Sequence, residues 1–154
     1  MRFIIYLTSI ISGGITIWAF AIINSLTASF DPSRGLYGGG NGNPALFFLF
    51  ASGIFILYFF VSLLFMLNTF HARQSNKVKL ILFTIYSVLS VFTFTRMIWS
   101  AINLKIYIND HHPYMEVGLI NQFSNNLFFN TWTFIGLVAL TAAISLVLPQ
   151  KVLR

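Results

Sequence analysis

Cysteine is absent from all 154 residues, which removes structural disulfides, thiol redox chemistry and cysteine-held metals from consideration. It leaves the redox compartment open, because exported proteins often lack cysteine too. Acids are nearly as scarce: Asp31, Asp110 and Glu116 are the only three, against nine lysines and arginines. All three fall between the long apolar runs, so the intramembrane carboxylate that a proton-coupled carrier normally uses is missing. Charged residues make up 8% of the chain and hydrophobic ones 57%, too little polar surface to cover a soluble globule of this length. No Asn-x-Ser/Thr sequon, His-Glu-x-x-His motif or nucleophile elbow occurs, so the expectation is a protein that is not an enzyme. The three histidines lie at helix ends or in a connection, away from the facing positions that a haem between helices needs, and no cofactor is expected.

What the chain does have is four apolar runs, at residues 3–26, 45–67, 80–102 and 127–148. Each reaches the roughly 20 residues that a helix rising about 1.5 Å per residue needs to cross about 30 Å of hydrocarbon. The expected fold is therefore an all-α integral membrane protein, a single four-transmembrane-helix antiparallel bundle spanning 1–154. Its connections would be outer loops 27–44 and 103–126 and a cytoplasmic loop 71–77, too short to bury a core of their own. The first run stays apolar for 24 positions, and residues 3–30 carry no charge, which favours a retained anchor over a signal peptide with its h-region of about 7–15 residues.

Charge placement orients the expected bundle. Arg2, Arg73, Lys77, Lys79, Lys151 and Arg154 fall on one side, and Arg34 and Lys105 on the other. By the positive-inside rule both termini face the cytoplasm, giving an N-in/C-in topology. The basic balance then reflects topology and contact with anionic lipid headgroups, and nucleic acid is not an expected partner.

Small and hydroxyl residues recur at helical spacing within the runs. Ser9, Ser12, Gly13 and Thr16 share one face of the first; Gly136, Ala139 and Ala143 share one face of the fourth. Lipid tails give helices no hydrophobic reason to associate, so such faces are expected to pack against neighbouring helices. Arg96 is the one formal charge inside a run. It lies 17 residues beyond Lys79, about 25 Å along a helix, and shares a face with Trp99, Ser100 and Asn103. Three roles are open to it: an anchor to lipid phosphate, a pair with Asp31, Asp110 or Glu116, or an anion-holding group in an outer vestibule that also includes Asn24.

Possible metal ligands concentrate in one place, at His111, His112, Met115 and Glu116. Adjacent histidines match no recognised ligand spacing, and no metal is favoured there. Pro113 makes the segment a turn leading into an amphipathic stretch, Tyr114, Val117, Ile120 and Phe123, expected along the outer interface. The glycines between Gly35 and Gly42 lack the strand, helix and Lys-Ser/Thr pair of a phosphate loop. His71, beside Arg73, is expected to cap the second helix at its cytoplasmic end.

Function on these grounds is expected to be that of a small multi-pass membrane protein, a subunit or an accessory or protective factor of a membrane complex. Its partners would be lipids and another membrane protein or further copies of itself. The alternative is an oligomeric transporter or channel for an anion or polar solute. Abundant Phe, Ile and Asn point to an AT-rich coding sequence, and so to a bacterial plasma membrane, with an organellar inner membrane as the alternative.

Overall fold

Residues 2–30, 43–111, 113 and 117–149 are described by a computed structural model. Every regular element among them is helical: α1 (Arg2–Ser25), α2 (Ala45–His71), α3 (Asn76–His111), α4 (Asn125–Phe128) and α5 (Thr131–Val147). Four stretches are long and apolar enough to cross a membrane: Phe3–Ser25, Ala45–His71, Asn76–His111 and, with α4 and α5 taken together, Asn125–Val147. The protein thus has the helix content and hydropathy of a four-span membrane protein.

Helix ends are set by short polar residues. At the end of α1, Ser25 Oγ donates to the Ile22 carbonyl and Thr27 Oγ1 to that of Asn24, each a second donor beside the backbone N–H of Leu26 or Thr27. Before α2, Asn43 Oδ1 accepts from the Ala45 N–H, and Pro44 already sits at φ −62°, a suitable angle for a helix start. The link between α2 and α3 is only residues 72–75, tighter than the expected 71–77, because Ala72, Arg73 and Gln74 donate back to the last turn of α2.

Two elements depart from the boundaries expected of the sequence. The third helix continues nine residues past 102, so much of the expected loop 103–126 is helical. Hydropathy falls after 102, but Leu104 and Ile108 keep the helical period and pack with Val117, Phe123, Phe30 and Ala28 in a small apolar cluster. The helix stops two residues before Pro113, as the residue preceding a proline disfavours helical angles. Of the amphipathic stretch expected along the outer interface, Val117 and Phe123 are both 8% exposed inside that cluster; Ile120 faces outward, and Tyr114 lies outside the described residues.

The fourth run is broken at Phe129–Asn130. Asn130 is extended, at φ −134° and ψ 174°. Its Oδ1 accepts from the Thr133 N–H at 3.0 Å and its Nδ2 donates to the Asn126 and Leu127 carbonyls. One side chain therefore both closes α4 and opens α5.

Packing follows the order α1 against α2, α2 against α5, and α5 against α3. Contacts at both ends show α2 and α5 running side by side in one direction: Asn43 meets Asn125 at one end, and Asn68 meets Ser145 at the other. Where the helices approach closely the residues are small. A Cβ on Gly136 would fall 2.8 Å from Thr93 Cγ2, and one on Gly13 would fall 2.9 Å from the Phe59 ring. Ser9, Thr16, Ala139 and Ala143 are buried beside them. Phe134 of α5 fills the space between, 5.8 Å from Phe20 and stacked at 6.0 Å on Phe59.

Candidate functional site

Hydroxyls within the spans are largely consumed by their own helices. Ser9, Ser12, Thr16, Ser52, Ser62, Thr84, Thr93, Thr141 and Ser145 each donate to a carbonyl three or four residues earlier. Such back-bonding satisfies a polar group in hydrocarbon without creating a polar path along the protein.

Arg96 and Ser100, one helical turn apart on α3, line a recess of about 140 Å³ against the start of α5, where Asn130, Trp132 and Thr133 form the other wall. Asn24 lies elsewhere, in a larger recess of about 560 Å³ between the end of α1 and α5, with Phe20, Phe129 and Phe134. Asn130 borders both. The start of α5 thus stands between Asn24 and Arg96, and the five vestibule candidates do not converge. Trp99 is 66% exposed, and Asn103 is exposed beyond the recess.

Of the acids weighed against Arg96, Asp110 is 14 residues further along the same helix, about 21 Å away by helical rise, too far to pair. Asp31 and Glu116 lie outside the described residues, as do Arg34, the glycines from 35 to 42, His112, Met115, Lys151 and Arg154. His111 is exposed; its Nδ1 lies 2.8 Å from the Tyr107 carbonyl and its ring 4.4 Å from that of Tyr107. No group of three or more metal-capable side chains occurs among the described residues.

Two polar junctions escaped the sequence. At the α4 end, Asn125 is 1% exposed and exchanges a reciprocal amide pair with Asn43: Asn43 Nδ2 to Asn125 Oδ1 is 2.7 Å, and the return bond is 3.0 Å. At the opposite end, His71 lies in the last turn of α2, where a cap is expected, but it is fully buried and its ring turns to α5. Asn68 Nδ2 donates to the Ser145 carbonyl at 2.8 Å, and His71 Nδ1 lies 2.8 Å from Ser145 Oγ. Since Ser145 Oγ gives its hydrogen to the Ala142 carbonyl at 2.7 Å, Nδ1 carries the proton that bonds Ser145. Nε2 is left bare, enclosed and without a hydrogen-bond partner, with the Tyr86 ring 6.0 Å from the imidazole. The asparagines and His71 of these junctions sit just outside the apolar runs, where polar residues are ordinary, and their partners are more than 70 residues away in the chain.

Taken together, these features define a helical protein with four membrane-length apolar spans among the described residues, span hydroxyls largely bonded to their own helices and a cationic recess at one level of α3. No protein-family model matches the chain, and no curated protein or solved structure shows significant similarity to it.

Proposed function

We propose that the protein is a noncatalytic multi-pass membrane protein that acts as a subunit or accessory factor of a membrane complex. The spans form an up-and-down four-helix bundle with both termini in the cytoplasm, in a bacterial plasma membrane. The observation that carries this is the cap at the α4 end. The extension of α3 and residues 117–128 enclose their own apolar cluster yet leave Leu119 and Ile120 exposed, at 43% and 58%. A folded cap with apolar residues turned outward offers a shaped surface for a neighbouring protein. The back-bonded hydroxyls support the same proposal, since a solute pathway needs polar groups free to replace a solute's water.

Mild-detergent purification with mass spectrometry separates the alternatives: a stoichiometric partner protein is expected, whereas a lone homo-oligomer that passes anions in liposomes favours a transporter. Topology has its own test. A C-terminal fluorescent fusion should be bright and a C-terminal alkaline phosphatase fusion inactive; the opposite pattern rejects the N-in/C-in orientation.

A further inference from the structure

We propose that the recess between α3 and the start of α5 is a phosphate site, in which Arg96 and Ser100 hold the phosphodiester group of a membrane phospholipid. The assignment comes from the polar groups left over once the internal hydrogen bonds are counted. Thr93 Oγ1 donates to the Leu89 carbonyl at 2.8 Å, and Thr133 Oγ1 to that of Leu127 at 3.1 Å. The Asn130 amide is fully used in closing α4 and opening α5. Of the polar side chains lining the recess, Arg96, Ser100 and the indole of Trp132 make no hydrogen bond or ion pair among the described residues. A guanidinium contributes five N–H donors and no acceptor, and the hydroxyl adds one more donor. The one described carboxylate, Asp110, is about 21 Å away along α3. Unspent donors around a fixed positive charge call for an anion, and the planar fork of arginine matches phosphate oxygens two at a time.

Size and level agree with a headgroup. The volume of about 140 Å³ corresponds to four or five waters at roughly 30 Å³ each, room for a phosphate group. Phe92 and Trp132 on its walls lower the local dielectric and strengthen bonds to the bound charge. With Lys79 at one boundary of about 30 Å of hydrocarbon, the other boundary falls some 20 residues on, at Trp99. Trp99 and Trp132 are 66% and 60% exposed, as tryptophans of an interfacial belt are. Arg96 is itself exposed, so a phospholipid can reach it laterally. The site is independent of whether a protein partner exists.

The test uses the full-length protein in detergent, with native mass spectrometry counting retained phosphatidylglycerol against diacylglycerol of the same chains. Inorganic phosphate is titrated separately against the thermal midpoint. Wild type should retain one phosphatidylglycerol in preference to diacylglycerol. Arg96→Gln should weaken retention by about tenfold or more, the loss of a charge-assisted pair. Arg96→Lys, a point charge without the fork, and Ser100→Ala should each weaken it by about threefold. Lys105→Gln, outside the recess on the same helix, should leave it unchanged. Equal retention by wild type, Arg96→Lys and Ser100→Ala overturns the site, and those two variants decide the matter should Arg96→Gln misfold. An Arg96-dependent response to inorganic phosphate without lipid selectivity overturns the lipid as the source and assigns the recess to a soluble anion.

Discussion

Gly136→Val should push α5 away from α3 and destabilise the protein by about 2–3 kcal/mol, the usual cost of overfilling a packed interface. The contact is unforgiving on both sides. A Cβ at 136 would lie 2.8 Å from Thr93 Cγ2 and 3.0 Å from Thr93 Cβ. Thr93 cannot swing aside, because its hydroxyl is held to the Leu89 carbonyl at 2.8 Å and a β-branched side chain has few rotamers in a helix. Valine adds two methyl groups beyond that Cβ. Gly136→Ala should be milder, since alanine gains up to about 1 kcal/mol of helix propensity over glycine. Thr93→Ser removes Cγ2 and keeps the hydroxyl, so it should relieve Gly136→Ala when the two are combined. Gly14 and Gly53 meet nothing within 4 Å of an added Cβ, and alanine at either should be tolerated. Thermal unfolding followed by size-exclusion of a fluorescent fusion reads all five variants. Equal midpoints for Gly136→Val and Gly53→Ala would refute the close α3–α5 contact.

Asn125→Leu should cost a comparable amount, about 2–3 kcal/mol, by leaving one half of a buried amide pair without its partner. Leucine keeps the number and branching of asparagine's side-chain heavy atoms and has none of its donors or acceptors. The loss comes from the reciprocal bonds to Asn43 at 2.7 and 3.0 Å, which join the start of α2 to α4. Asn43 Oδ1 would still accept from the Ala45 N–H, but its Nδ2 would lose its acceptor. For a chain of this size the midpoint should fall by roughly 4–12 °C at about 2–4 °C per kcal/mol. The double variant Asn43→Leu/Asn125→Leu should be more stable than the two single losses add up to, because it strands no amide. Strict additivity would mean that the two side chains do not act as a pair.

The four spans were legible because each is a long stretch whose hydropathy does not depend on what it touches. The stripe of Gly136, Ala139 and Ala143 was legible for a related reason, as spacing alone places those residues on one face. Arg96 and Ser100 were joined by the same periodicity, and the structure gives them a common recess. Asn24, on another helix, shares no periodicity with them, and it lines a separate recess. The extension of α3 past residue 102 is not legible because hydropathy marks where an apolar run ends, not where its helix does. Leu104 and Ile108 continue the helix on an amphipathic period that becomes visible only with Phe30 and Phe123 packed on it. The break at Asn130 leaves the mean hydropathy of the stretch at 1.8, so hydropathy alone does not mark it. The junctions of Asn43 with Asn125, and of Asn68 and His71 with Ser145, join residues separated by 74 to 82 positions, and no local pattern encodes such a pairing.

That the protein works through a neighbour in the membrane is tested most directly by site-specific photo-crosslinking in native membranes. Probes belong at Leu119 and Ile120 on the cap, with Gly14 and Gly53 on the open faces of α1 and α2 as lateral positions. The expected result is a discrete product with a second membrane protein from the cap positions. Products formed only with further copies of this chain, together with anion flux in liposomes made from the pure protein, would contradict it.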